Sequence, residues 1–281
     1  MSSFEDSVMW TAPDGARLAV YRQPASGTPR AALLLVHGWG EHSACYGELA
    51  RWFGSRGVAV WAADLRGHGR SPGVRGHIER FAQYLSDVAA LRKLMAAELE
   101  APQLLLGVSY GGFIVLRYLE TAPPQLAGAV AVTPYLDLAT PASAWKVRLA
   151  RAVADLLPRL PISTGLDWSL TTRNVEVWTA MRDDPLSHQR ITPRAWRETV
   201  AAQQVLREER HRIVTPLLVL LAGDDRIVST AAAEQFAGSL RAPVTLRLYP
   251  GFFHNLFHEP GREAVYDDLA AWADTLLGGA N

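Results

Sequence analysis

The stretch Gln103-Leu-Leu-Leu-Gly-Val-Ser-Tyr-Gly-Gly-Phe-Ile-Val-Leu-Arg-Tyr-Leu119 decides how this chain is read. Six residues rich in leucine and valine suit a strand buried on both faces. An amphipathic helical pattern starts directly after Gly111 and Gly112. Between the two lies Gly107-Val108-Ser109-Tyr110-Gly111, a match to G-x-S-x-G. A strand-to-helix turn this tight predicts a strained serine with its hydroxyl lifted above the sheet edge, and glycines where side chains would strike the crossing backbone. The alternative is a serine that merely caps the helix, so the decision rests on whether the rest of the chain supplies partners.

Outward from this junction, short apolar runs alternate with longer helical patterns, which predicts a mostly parallel α/β sheet flanked by helices. The runs are 31–36, 58–64, 103–108, 126–132, 216–223 and 244–249, preceded by a hairpin over Ser7–Gln23 that turns at Pro13-Asp14-Gly15. Phe81–Leu99 and the segment after Pro260 carry helical spacing. Between 134 and about 212 the alternation breaks. Arg148, Arg151 and Asp155 stripe one side of an otherwise apolar helical pattern, and no strand-like run appears until Leu217. The expected organisation is a core of 1–133 and 213–281 with a helical cap inserted at 134–212.

A serine hydroxyl needs a base and the base needs a carboxylate. His254 follows the last expected strand, on the side of the sheet where such loops gather beside the elbow. His258 is the weaker competitor, expected at the surface or behind His254. Asp224 and Asp225 end the preceding strand, giving the order Ser–Asp–His, and Asp137 is a third acid; spacing alone does not choose among them. The glycine-punctuated loop after Val36 and the start of the helix after Ser109 offer the backbone N–H groups of Trp39 and Tyr110 as an oxyanion-binding pair. His37, Glu41 and His42 share a short loop without the spacing of a metal site, so no metal or cofactor is expected.

Composition narrows the classes. The chain has 281 residues, equal numbers of basic and acidic side chains (28 each) and one cysteine, Cys45. No basic stripe suggests nucleic acid, no intrachain disulfide is possible, and no apolar run approaches the ~20 residues of a membrane span. Glu5 and Asp6 stand where a secretion signal would be basic. A soluble cytoplasmic protein of undetermined oligomeric state is expected.

Six segments carry a resemblance: HGWGEHSACY (37–46), DLRGHGRSPG (64–73), GVSYGG (107–112), SLTTRNVEVWTAMRDDPL (169–186), AGDDRIV (222–228) and YPGFFH (249–254). In order, and over about residues 10 to 277, they resemble the monoacylglycerol lipase and lysophospholipase-like family of α/β-hydrolases. The resemblance implies an α/β-hydrolase fold with a helical cap, no cofactor, and hydrolysis of single-chain lipid or small esters. It makes Ser109 the nucleophile, His254 the base and, through the Asp-Arg-Ile-Val that follows, Asp225 the acid. It also makes Glu41 and Cys45 substrate-facing loop positions. Cys45 stands where the family often has a cationic residue (HSGRY), so contacts to a glycerol head group do not carry over, and a small buried hydrophobe is the thiol's other role. Leu149, Val153 and Leu156, with Trp145 and Leu157, are expected to line an acyl pocket or touch a lipid surface transiently. An aminopeptidase or acyltransferase of the same fold, and a non-catalytic ligand receptor, are the alternatives; cap acids Asp155, Asp167, Glu176, Asp183 and Asp184 are numerous enough to hold an amino terminus. Activity that depends on neutral His254 is expected to fall as pH drops through about 6.5.

Overall fold

The strand Ala31–Val36 (β3) is apolar at every position because both of its faces are covered. Side chains alternate sides along a strand. Ala32, Leu34 and Val36 therefore enter one core layer, with Val88, Met95 and Phe113. Leu33 and Leu35 enter the other, with Leu49, Phe53 and Leu269. The computed structural model describes residues 4–121, 125–140 and 156–278.

Around β3 the sheet comprises β1 (Asp6–Thr11), β2 (Arg17–Gln23), β4 (Val58–Ala63), β5 (Gln103–Val108), β6 (Gly128–Val132), β9 (Leu217–Ala222) and β10 (Val244–Tyr249), in the order β1-β2-β4-β3-β5-β6-β9-β10. β1 and β2 form the expected hairpin and β2 runs antiparallel to β4; every other pairing is parallel. Between the paired strands run helices α1 (Gly47–Gly54), α2 (Ala82–Glu98), α3 (Tyr110–Leu119), α6 (Thr230–Gly238) and α7 (Glu263–Leu277). The last begins three residues after Pro260, not at it, and ends on left-handed Gly278. Helix α1, of eight residues and about two turns, adds to the helices expected from sequence and buries Leu49, Ala50 and Phe53.

The site is positioned by topology. β4 lies on one side of β3 and β5 on the other, so the order switches direction there, and Val36 pairs with Gly107 at the strand ends. The loop after β3 and the turn after β5 thus open side by side, the crevice where open parallel sheets bind ligands. β6, β9 and β10 add their C-terminal ends to the same edge.

Between β6 and β9 the described chain contains α4 (Val175–Asp183), α5 (Pro193–Glu209) and a two-stranded antiparallel pair, β7 (Ile162–Ser163) with β8 (Arg190–Ile191). This pair corrects the expectation of no strand before Leu217. Two residues per strand are too few for a period to register in sequence. Helix α5 starts at Thr192, whose hydroxyl accepts from the Ala195 N–H, and sends Ala195, Ala202 and Leu206 into the sheet core.

Candidate active site

Ser109 has φ 53° and ψ −112°, a backbone region that non-glycine residues rarely enter. The flanking glycines are explained by distance. A Cβ at Gly107 would lie 2.2 Å from the Gly111 carbonyl oxygen, and one at Gly111 would lie 2.1 Å from that of Val36. Strain at Ser109 is held by the sheet: its N–H donates to the Val132 carbonyl at 2.8 Å, while its own carbonyl accepts from Phe113 and Tyr135, each at 3.0 Å. The serine does not cap α3 through its side chain. Its Oγ lies instead 2.8 Å from His254 Nε2.

His254 sits in the turn after β10, and Thr133 Oγ1 donates to its carbonyl at 3.0 Å. Its Nδ1 lies 2.7 Å from Asp225 Oδ2. The other carboxylate oxygen, Oδ1, accepts the N–H groups of Ile227 and Val228, each at 2.9 Å. That arrangement fixes Nδ1–H as donor and leaves the Nε2 lone pair facing Ser109. Burial pushes the imidazolium form of His254 down, but the Asp225 charge and hydrogen bond outweigh burial and leave the pKa above its ordinary value. For Asp225 burial pushes up, and His254 together with the two amide donors holds the carboxyl below the usual range. The acid limb of a His254-dependent rate thus belongs above pH 6.5, a correction to the unperturbed value taken from sequence.

The choice among acids is geometric. Asp224, one residue away, points to solvent and pairs with Arg226 at 3.1 Å. Asp137 is also exposed, 3.8 Å from Arg207. Ser109, Asp225 and His254 come together from three separate strand ends.

Tyr110 is the first residue of α3, where an N–H has no partner within the helix. Its ring is buried, and its hydroxyl shares a 2.8 Å hydrogen bond with Thr199 of α5. Trp39 packs edge-on against that ring, centroids 4.7 Å apart. The loop carrying Trp39 is strapped from inside by Glu41, which accepts the Gly38 N–H at 2.6 Å and the Tyr46 hydroxyl. The strap went unrecognised in the sequence, where Glu41 had been read as substrate-facing. Glu41 does line the cavity above Ser109. Cys45 does not: its side chain is buried in the second core layer, and its carbonyl accepts from His258 Nε2 at 3.0 Å. The apolar floor beneath the loop, not the substrate path, claims the thiol. His258 is accordingly half-buried behind the loop, its pKa lowered by burial.

The cavity holds about 340 Å³. Its walls are mainly apolar, including Val108, Leu138, Leu170, Met181, Ile191 and Trp196. Leu149, Val153 and Trp145 lie outside the described residues. Leu156 and Leu157 are 80% and 54% exposed and are not among the residues lining the cavity, so of the two places expected for Leu156 the structure gives the exposed one. Trp168, Met181 and Trp196 line the cavity instead. They come from three separate elements, a single turn, α4 and α5, and no single helical stripe announces them.

Residues 27–261 match the family described as Serine aminopeptidase, S33. The chain belongs to this family. It is 31% identical over 247 residues to the monoacylglycerol lipase of Mycolicibacterium smegmatis, covering 87% of this chain and 88% of that one. It is 30% identical over 254 residues to phospholipase YtpA of Bacillus subtilis, covering 89% and 97%. The crystal structure of the Paleococcus ferrophilus monoacylglycerol lipase superposes with a TM-score of 0.81 at 31% identity, covering 93% of this chain and 99% of the other. The protein is an α/β-hydrolase of the monoacylglycerol lipase and lysophospholipase-like kind, a serine-type hydrolase as its motifs implied. Among the described residues of this α/β-hydrolase, no helix is long and apolar enough to cross a membrane.

Proposed function

We propose that the protein hydrolyses carboxylic esters of single-chain lipids through an acyl-enzyme on Ser109, beneath a cap formed by residues 134–212. The observation that carries the proposal is the unbroken chain of contacts from Ser109 Oγ to His254 Nε2 at 2.8 Å and from His254 Nδ1 to Asp225 at 2.7 Å. As Oγ bonds to the ester carbonyl carbon, His254 Nε2 takes its proton. The N–H groups of Trp39 and Tyr110 receive the carbonyl oxygen as it becomes an oxyanion, each worth roughly 10²–10³ in rate. Collapse of the tetrahedral adduct expels the alcohol, which leaves with the proton from Nε2. Water then attacks the acyl group, gives a proton to His254, and the carboxylic acid departs as Oγ recovers that proton.

Chain number and bond type follow from the cavity and the relatives. About 340 Å³ lies at the low end for small-molecule sites, which favours a slender, single-chain substrate. The relatives named above are lipases and a phospholipase, which favours esters over the peptides implied by the family's title activity. An aminopeptidase would also need a free carboxylate for the substrate's amino group. Of the acids on the cavity wall among the described residues, Glu41 is taken by Gly38 and Tyr46, while Asp167 is exposed and accepts the Ser169 N–H at 2.9 Å through Oδ1, so the case against a peptide substrate rests on the relatives. Leu156, Leu157, Leu160 and Ile162 form an exposed apolar run, which supports transient contact of the cap with a lipid surface.

A fluorophosphonate probe tests the chemistry. It should label the wild type and not Ser109→Ala, whose turnover should fall by about 10⁶ with the fold intact. A panel of p-nitrophenyl esters and aminoacyl anilides should show ester cleavage only. Anilide cleavage at comparable kcat/KM, or labelling that survives the substitution, would overturn the reading.

A further inference from the structure

Outside the triad, a set of tight contacts joins the loop after β3 to the segment Asp184–Thr192, which runs through β8. Trp39 Nε1–H donates to the Arg190 carbonyl at 3.0 Å. The His188 N–H donates to the Gly40 carbonyl at 2.7 Å. His42 Nε2 meets Asp184 Oδ2 at 3.1 Å, so both ends of the loop are tied to the same stretch of chain. The approach is at backbone level: a Cβ on Gly40, which has φ 78°, would stand 2.3 Å from the His188 carbonyl oxygen. On the far side of the segment the Thr192 N–H donates to the Gly76 carbonyl at 3.0 Å, and a Cβ on Gly76 would stand 2.0 Å from the Arg190 oxygen. Trp39 itself is wedged between Tyr110, at 4.7 Å, and His68, at 4.9 Å, both edge-on, while His188 lies 4.5 Å from His68.

An oxyanion donor works only when it is held in place before the charge develops, because reorganisation at that moment cancels its benefit. A glycine-flanked loop has no such rigidity of its own. Glu41 straps it from the inside at Gly38. From the outside it has the 184–192 segment.

We propose that His188 and Arg190 are positioning residues for catalysis: through their backbone contacts to Gly40 and to the Trp39 indole, the cap segment holds the Trp39 amide in its oxyanion-binding place, so that seating of the cap and stabilisation of the transition state are one event. The proposal rests on the reading of Trp39 as an oxyanion donor to an ester attacked by Ser109. It assigns the loop's tryptophan a purpose beyond bulk, since its indole N–H is, with the His42–Asp184 pair, a side-chain link between the two parts. A lipase so built is poorly active whenever this segment lifts, even if the triad is untouched.

Two variants test it, each assayed on p-nitrophenyl acetate, which hardly uses the acyl cavity, and on a long-chain p-nitrophenyl ester. Trp39→Phe keeps a smaller aromatic wedge and removes the indole donor; because Trp39 also lines the cavity, the comparison of short and long esters separates lost bulk from the lost hydrogen bond. Gly76→Ala leaves the loop alone but drives a methyl group into the Arg190 carbonyl, next to the cavity-wall residue Ile191. Both should lower kcat about three- to tenfold, the weight of one neutral hydrogen bond, equally on the two esters and with KM within twofold of wild type. Normal kcat in Trp39→Phe would overturn the proposal, as would losses confined to the long ester or to KM, which mark a cavity-wall effect. If Gly76→Ala does not fold, Trp39→Phe alone decides. Failure of the underlying reading is distinguishable, because Ser109→Ala would then keep its activity whatever these variants do.

Discussion

Replacing Asp225 by asparagine changes one atom and should disable the site through a proton. In the wild type Asp225 Oδ1 accepts two backbone N–H groups and Oδ2 accepts one from His254. An asparagine amide must choose an orientation. With its oxygen toward Ile227 and Val228 it keeps two hydrogen bonds and turns its NH₂ on His254 Nδ1. With the reverse orientation it keeps one and forces its NH₂ against two donors. The first orientation wins by roughly the desolvation cost of unpaired buried donors, about 1–3 kcal/mol each. Nδ1 then becomes an acceptor, the ring proton moves to Nε2, and that nitrogen no longer takes the proton of Ser109. The expected fall in kcat is about 10⁴, the size of the same exchange in a serine protease, equivalent to about 5.5 kcal/mol in barrier. The pH profile should move as well. His254 works as the neutral base, and the Asp225 charge lifts its pKa above the ordinary value. The wild-type rate is therefore lost as pH falls through a limb above about 6.5, and removal of the charge leaves burial in control and shifts the limb downward. Initial rates on a soluble ester between pH 5 and 9, with Asp224→Asn as control, measure both effects. The control should match wild type within about twofold, since that side chain points to solvent. A kcat for Asp225→Asn within tenfold of wild type, or a limb that does not move, would refute the reasoning.

Other substitutions probe the cavity, the cap and the turn. Met181 is buried on the cavity wall; Met181→Trp should take up chain space and lower kcat/KM for long acyl esters at least tenfold while sparing p-nitrophenyl acetate, as a chain-length series would reveal. The pair Leu156→Asp and Leu157→Asp, both at exposed positions, should weaken hydrolysis of substrate presented in vesicles and leave soluble esters within about twofold; equal rates on vesicles would remove the lipid-surface role. Gly111→Ala places a methyl group 2.1 Å from one backbone oxygen and 2.6 Å from another, and neither can swing aside. It should destabilise the fold by about 3 kcal/mol or more, seen as a lowered denaturation midpoint or loss of soluble protein.

Much of this molecule is written in local pattern. Burial on both faces makes the parallel strands read as unbroken apolar runs, and the alternation of Leu33, Leu34 and Leu35 between two cores is a consequence of strand geometry alone. Glycines at 107 and 111 betray the elbow because no side chain fits there. Ser109, Asp225 and His254 were legible because each follows a strand on the sheet's C-terminal edge, where topology brings distant residues together. What lay beyond the sequence was everything decided across long separations without a period to mark it. Asp224 and Asp225 are chemically alike and adjacent, and spacing leaves both open; the resemblance selects Asp225, and the physical ground for that choice, the amides of Ile227 and Val228 fixed by the turn, is tertiary. Glu41 reads as a substrate-facing loop position until Gly38 and Tyr46 close on it. For Cys45 the sequence offered both a substrate-facing place and a buried one, and packing puts the thiol in the core. The β7–β8 pair is made by backbone contacts that leave no side-chain period to read, and the clasp of residues 184–192 on Trp39 and Gly40 joins groups far apart in the chain. Composition and periodicity report which surfaces must be buried; which buried groups meet is set by the closing of the chain on itself.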